Sequence, residues 1–130
     1  MKQVTAAIIV RKGTVLLTRR KDGEALAGFW EFPGGKVEEG ETPQECLQRE
    51  LNEELGLTTV AGILLAECTY HYDHGSFNLI ALKTELISGE PKLTVHDKAE
   101  WVNIDDLESY NLAPADKLLV HTIRKVLKNV

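Results

Sequence analysis

The feature that most constrains this fold is a short segment that carries its own start and stop signals for a helix. Thr42 to Glu45 has the Thr-x-x-Glu pattern of a capping box, with proline at the first helical position, and Gly56 supplies a stop signal. Leucines recur every four positions between these signals and form an apolar stripe: Leu47, Leu51 and Leu55. The pattern predicts a helix from Pro43 to Leu55 whose leucine face packs on the core.

Acidic side chains lie beside this leucine stripe rather than opposite it, namely Glu50, Glu53 and Glu54. At about 100° per residue they fall within an arc of roughly 100°, where their charges repel one another. A helix face that is merely solvated usually interleaves lysines at such positions. Carboxylate oxygens suit Mg²⁺, with Mn²⁺ as an alternative. The spacing therefore predicts a divalent metal site for phosphate chemistry, and the competing interpretation is an acidic solvated helix.

Neighbouring residues favour the metal site. Gly34 and Gly35 precede the helix and permit a ligand or metal to approach the backbone closely. Arg49 lies next to Glu50 and four residues before Glu53, so its planar guanidinium can hold a carboxylate.

The rest of the chain mixes strands and helices without regular βαβ alternation. Apolar and β-branched runs predict strands at Val4–Val10, Val15–Thr18, Val60–Tyr70, Phe77–Leu86 and Glu100–Ile104. A second amphipathic helix begins at Pro114, with an apolar face predicted from Leu118, Leu119, Ile123, Val126 and Leu127. We expect one α/β domain over residues 1–130, built as a sandwich with a mixed sheet.

Composition narrows the functional classes. With 43% hydrophobic and 27% charged residues, the chain is typical of globular proteins that are neither disordered nor membrane-embedded. The net charge of −5 opposes binding to long nucleic acids, which relies on many cations. The N-terminal apolar run is too short for a membrane span and lacks a secretory cleavage site, so we expect a cytoplasmic protein. Cys46 and Cys68 are expected to be reduced thiols.

The residues around the first helix resemble the Nudix hydrolase family, whose box reads G-x5-E-x7-R-E-U-x-E-E-x-G-U, with U a bulky aliphatic residue. Every position matches, through Gly35, Glu41, Arg49, Glu50, Leu51, Glu53, Glu54, Gly56 and Leu57. The resemblance covers almost the whole chain and is strongest to the MutT-like branch, including CTP pyrophosphohydrolases. The flanking segments Trp30–Glu38 and Leu112–Asp116 carry that likeness. It implies a Nudix-type α/β/α sandwich with the box at residues 35–57.

The resemblance also implies an activity, the Mg²⁺-dependent hydrolysis of a nucleoside triphosphate to the monophosphate and pyrophosphate. Glu50 and Glu54 would hold the metal together with the backbone carbonyl of Gly34. Glu53 would be a further ligand or would activate water, and Arg49 completes the catalytic set. Attack at the β-phosphorus would release the nucleoside monophosphate.

Other positions are candidate substrate contacts. Arg20 matches a phosphate or sugar contact of the family, while Lys36 and the loop residue Gly35 would lie close to the phosphates. Arg19 could supply another cation, with surface charge as the alternative. Phe32 either lines a base pocket or is an ordinary core residue.

Asp116 aligns with the residue that reads the base in MutT-like enzymes, where the best-known guanine-selective case carries asparagine. A carboxylate can accept hydrogen bonds from an oxidised guanine or from the amine of cytosine. The alternative interpretation is helix capping.

Several assignments stay open. Some MutT-like enzymes add a late acidic ligand or base where this chain has Val95, so Asp97 or His96 could serve instead, or the base comes from the helix. Glu41 belongs to the box, but a carboxylate there also suits the positive end of the helix.

We expect a small nucleotide as the partner, no membrane, and either a monomer or a homodimer. Oxidised dGTP is the leading substrate class, and CTP or 5-methyl-dCTP is the sibling alternative. A nucleoside diphosphate linked to a sugar, or a binding module without catalysis, are further alternatives.

Overall fold

The computed structural model describes residues 1–128, so the last two residues of the expected domain lie outside the described part. Its strands, in chain order, are β1 (Lys2–Arg11), β2 (Thr14–Arg20), β3 (Trp30–Glu31), β4 (Thr58–Tyr72), β5 (Gly75–Ser88) and β6 (His96–Asn103). The helices are α1 (Pro43–Leu55), between β3 and β4, and α2 (Pro114–Lys128) at the end. A 3₁₀ helix at Ile104–Ser109 joins β6 to α2.

The strands form one mixed sheet in the order β3-β2-β1-β5-β4, with β6 also paired to β2. β1 runs parallel to β5, from Lys2 opposite Phe77 to Ile9 opposite Thr84. The β4–β5, β2–β6 and β2–β3 pairs are antiparallel, and β1 meets β2 beside their hairpin turn. The expected mixed sheet is confirmed.

Two apolar layers lie on opposite faces of this sheet. Successive side chains of a strand point to opposite faces, and β1 accordingly sends Ala7 and Ile9 toward α1 but Ala6 and Ile8 toward α2. The leucine stripe of α1 is fully buried in the first layer, and Leu119 and Ile123 of α2 are buried in the second. The architecture is therefore the α/β/α sandwich expected from the sequence.

Helix α1 has the bounds and caps that its sequence predicts. The Glu45 N–H donates to the Thr42 hydroxyl at 3.1 Å, and the Thr42 N–H donates to the Glu45 carboxylate at 2.9 Å. Gly56 adopts the left-handed conformation at φ +67° and donates its N–H to the Asn52 carbonyl. Both ends of the helix are thus capped by residues of its own segment.

The 3₁₀ helix was not predicted, and the ends of β1, β2, β4 and β5 lie one or two residues beyond the predicted bounds. Three further differences are larger. β3 was not predicted, because a two-residue strand is too short for a periodic signal. β6 begins at His96 rather than Glu100, because its first residues also pair with β2. Lys98 lies opposite Arg19, and His96 lies opposite Arg20. The prediction that Leu118 belongs to the buried face of α2 is wrong, because this residue is 52% exposed in the structure. Its direction differs by about 140° from that of Ile123, five residues later.

No helix within residues 1–128 is long and apolar enough to cross a bilayer.

The two adjacent leucines of α2 give a matched test of the second layer. Leu119→Ala should lower the free energy of unfolding by about 2–5 kcal/mol, because it empties a fully packed position. Leu118→Ala should change it by less than about 0.5 kcal/mol. Urea denaturation of both variants measures the difference, and equal losses would show that the burial of α2 is assigned to the wrong face.

Candidate active site

Arg49 is the centre of the polar cluster on α1. Its guanidinium binds Glu41 through two hydrogen bonds, Nε to Oε2 at 2.7 Å and Nη2 to Oε1 at 3.0 Å. Nη1 donates to Glu50 at 2.9 Å and to Glu53 at 3.3 Å. The side-chain hydrogen bonds from Arg49, with the Glu38 N–H, lower the pKa of Glu41 to about 2. One cation thus offsets the repulsion among several carboxylates that the sequence places side by side.

The glycine loop before α1 runs along β1 in close backbone contact. The Ala7 N–H donates to the Pro33 carbonyl at 2.7 Å, and the Thr5 N–H donates to the Gly35 carbonyl at 2.8 Å. A Cβ added at Gly34 would collide with the carbonyl oxygen of Thr5, and one added at Gly35 would collide with the Glu50 carboxylate. Glycine is required at Gly34 because the β1 backbone leaves no space for a side chain, and any larger residue at Gly35 would have to displace the Glu50 carboxylate.

The oxygen atoms around this loop have the chemistry of a magnesium site. The Pro33 and Gly35 carbonyls are used by β1, whereas no hydrogen-bond donor to the Gly34 carbonyl is found in residues 1–128. Glu50 is largely buried, with 16% of its side chain exposed, and Glu53 is open to solvent at 59%. Arg49 engages both, and within residues 1–128 no three ligand side chains form a preassembled metal cluster. The donor set fits a hard cation, which would compete with Arg49 for these carboxylates.

Glu54 is the most strongly perturbed acid of α1. Burial raises its pKa to about 7, the nearby negative charge of Glu50 adds to the rise, and the cation of Arg20 opposes it. A positive charge brought to this carboxyl would favour its ionised form.

A second polar cluster joins β2, β3 and β6. Arg20 Nε donates to Glu31 Oε1 at 3.3 Å, and His96 Nε2 lies 2.9 Å from Glu31 Oε2. His96 is completely buried, and Glu31 has 13% of its side chain exposed. Sequence reasoning missed Glu31; its position between Trp30 and Phe32, with period-two alternation, was the available signal.

The alternation along β2 separates its two arginines. Arg20 lines a cavity beside the glycine loop, as does Lys36. Arg19 instead binds Asp97 in a bidentate pair, at 2.7 and 2.9 Å. Its guanidinium lowers the pKa of Asp97, both of whose oxygens are engaged. Arg20 and Lys36 therefore lie in the cavity beside the glycine loop, whereas Arg19 and Asp97 form an ion pair with each other.

A cavity of about 430 Å³ opens beside the glycine loop. Its apolar walls come from Phe32, Leu79 and the aromatic residues of the β4–β5 hairpin, Tyr70, Tyr72 and Phe77. The hairpin aromatics were not identified from the sequence, since only the pairing of β4 with β5 brings them together.

Asp116, at the start of α2, is the buried acid of this cavity, with 8% of its surface exposed. Its Oδ2 accepts a hydrogen bond from the Phe32 N–H at 2.8 Å, which ties α2 to the segment before the glycine loop. Burial raises its pKa to about 8, and the negative charge of Glu31 acts in the same direction. Both effects favour the protonated form of the Asp116 carboxyl.

Comparison with known proteins agrees with this geometry. The chain matches the NUDIX domain model over residues 1–124. It is 37% identical over 116 residues to an Escherichia coli K12 protein named CTP pyrophosphohydrolase, covering 89% of this chain and 86% of that protein. It is 34% identical over 122 residues to the Haemophilus influenzae 8-oxo-dGTP diphosphatase, covering 93% and 90%. The solution structure of the E. coli ORF135 protein superposes with a TM-score of 0.85 at 34% identity, covering 98% and 91%. Sequence, fold and site together place this chain in the Nudix hydrolase family.

Proposed function

We propose that this chain, as a single Nudix domain over residues 1–130, is a Mg²⁺-dependent hydrolase that converts a nucleoside triphosphate to its monophosphate and pyrophosphate. One observation carries the proposal: the cavity that contains the buried acid Asp116 is also lined by the glycine loop, which packs against Glu50. A base recognised in the cavity would therefore extend its phosphates toward the acids of α1. The relatives named for CTP and 8-oxo-dGTP support this reaction.

In this proposal the metal ligands are Glu50, Glu53, Glu54 and the backbone carbonyl of Gly34, and Glu50 packs directly against the glycine loop. These residues would hold Mg²⁺, or Mn²⁺ in its place, which would supply positive charge to the phosphates and acidify the attacking water. Arg49 holds Glu50 and Glu53 in orientation through its Nη1 bonds.

The reaction breaks the bond between the β-phosphorus and the oxygen that bridges it to the α-phosphorus. The oxygen of the attacking water enters pyrophosphate, and the bridging oxygen leaves with the nucleoside monophosphate. Glu53, the more exposed acid, acts either as a further ligand or as the base that accepts the proton of the water.

The substrate's phosphates need local cations because the whole chain is negative, at −5. Arg20 and Lys36 supply them from the wall of the cavity. Glu31 supports this role, since its carboxylate accepts the Arg20 Nε–H and holds the guanidinium in place.

The cavity suits a flat heteroaromatic base, with Phe32 and the hairpin aromatics as apolar walls. The neutral Asp116 carboxyl has an O–H donor and an acceptor oxygen. Such a group pairs with an N–H beside a carbonyl, as in oxidised guanine, or with the N4 amine beside N3 of cytosine. Oxidised dGTP in nucleotide-pool sanitation is the leading substrate, and the same carboxyl favours CTP or 5-methyl-dCTP as the second candidate.

Replacing the most exposed acid of the site tests the reaction. Glu53→Gln should lower Mg²⁺-dependent pyrophosphate release by about 100-fold or more, because it removes a ligand or base. The free energy of unfolding should change by less than about 0.5 kcal/mol. Glu90→Gln, at an exposed position after β5, is the matched control and should retain wild-type turnover. Unchanged turnover in the Glu53 variant would remove that residue from the proposed machinery.

The protonation of Asp116 gives a prediction on stability. The ordinary pKa of this carboxyl is 3.8, whereas the folded protein holds its proton to about 8. The folded state therefore binds more protons between these values, and this contribution to stability decreases as pH rises. Asparagine does not ionise and keeps an oxygen for the Phe32 N–H.

Relative to the wild type, Asp116→Asn should become more stable between about pH 5.5 and about pH 7.5, by at most about 1.4 kcal/mol per pH unit. Urea denaturation at both values measures the change. A stability difference that is the same at both values would show that Asp116 is already ionised in the folded protein.

A further inference from the structure

Thr5 contacts the glycine loop through its side chain as well as its backbone. This residue of β1 is polar yet buried, with 2% of its surface exposed. The Gly35 N–H donates to the Thr5 hydroxyl at 3.4 Å, and the hydroxyl donates to the Gly35 carbonyl at 3.1 Å. The same carbonyl accepts the Thr5 N–H at 2.8 Å. One side chain therefore engages both backbone polar groups of Gly35.

The hydroxyl also reaches α1. Thr5 Oγ1 lies 3.5 Å from Cys46 Sγ, and the Cys46 thiol donates to the Gly35 carbonyl at 3.6 Å. Burial raises the pKa of the Cys46 thiol, so the group stays neutral and able to donate. Thr5 thus lies where β1, the loop and α1 meet.

The glycine loop depends on contacts from other segments, because its own residues have no side chains that could hold its conformation. Gly34 and Gly35 have no side chains to pack, and glycine has more backbone freedom to lose than any other residue. Apart from the backbone bonds to β1, the polar contacts found for Gly35 in residues 1–128 come from Thr5 and Cys46. A Cβ at Gly35 would collide with Glu50, so the backbone of this glycine lies directly against the Glu50 carboxylate.

We infer that Thr5 is a positioning residue, whose hydroxyl fixes the Gly34–Gly35 segment and so sets the Gly34 carbonyl and the Glu50 carboxylate relative to each other for cation binding. Thr5 acts through the loop and is not itself a ligand of the cation. The inference deepens the proposed function and rests on the cation site proposed there.

The chain supplies a matched control. Thr59 in β4 is also a buried threonine of the sheet, with 6% exposure, and no partner for its hydroxyl is found in residues 1–128. Valine preserves the branched shape of threonine and removes the hydroxyl. Thr5→Val therefore removes the loop contacts, Thr59→Val removes a hydroxyl without such contacts, and Thr5→Ser keeps the hydroxyl.

The first readout is Mn²⁺ binding to the metal-free protein, followed by electron paramagnetic resonance of free Mn²⁺. Thr5→Val should weaken Mn²⁺ binding by about 10-fold, the usual loss when a group that orients a ligand is removed. Thr5→Ser and Thr59→Val should bind as the wild type does. The second readout is hydrogen exchange at the Gly35 amide, which should become at least about tenfold faster in Thr5→Val alone.

Wild-type Mn²⁺ affinity in Thr5→Val, or an equal loss in Thr59→Val, would overturn the inference, as would a wild type that binds no Mn²⁺. Thr5→Ala replaces Thr5→Val in both assays if the valine variant does not fold. Neither readout depends on turnover. If the wild type binds Mn²⁺ but hydrolyses no nucleotide, the proposed function fails while the positioning role of Thr5 is still decided.

Discussion

The burial of the leucine stripe of α1 against the sheet is the contact on which the site depends. The rotation of α1 about its axis is fixed by Leu47, Leu51 and Leu55, because any other rotation would expose these side chains to water. That rotation places Arg49 and the adjacent acids at the edge of the layer, half in solvent. An apolar packing constraint therefore sets the geometry of a charged cluster whose members would otherwise repel one another.

The glycine loop is the second element of the candidate site, beside α1. Its backbone is hydrogen-bonded to β1 and packs against the Glu50 carboxylate with no side chain between them. Phe32, just before the loop, donates its N–H to Asp116, which connects the same segment to α2 on the other face of the sheet. The acids of α1 and the buried acid of α2 are thus joined through one short stretch of backbone.

Local signals predicted α1 completely, since its capping box, leucine stripe and terminal glycine all lie within residues 42–56. The α/β sandwich was also predicted, from the irregular mixture of strands and helices and from the resemblance to the Nudix family. The contacts between residues far apart in the chain could not be predicted from the sequence. Glu31 meets Arg20 and His96 only after β3 and β6 join β2, and Asp97 reaches Arg19 across 78 positions of the chain. Leu118 shows the limit of periodicity, because an apolar residue beside a stripe does not have to belong to it.

The central claim is tested most directly by pyrophosphate release from 8-oxo-dGTP, CTP and 5-methyl-dCTP, each with Mg²⁺ and with EDTA. The account predicts release of pyrophosphate together with the nucleoside monophosphate, abolished by EDTA. A preference for 8-oxo-dGTP would support pool sanitation, and a preference for cytosine nucleotides would support the second candidate. No metal-dependent release from any of them would contradict the triphosphatase account and favour a diphosphate-linked substrate or a binding role without hydrolysis.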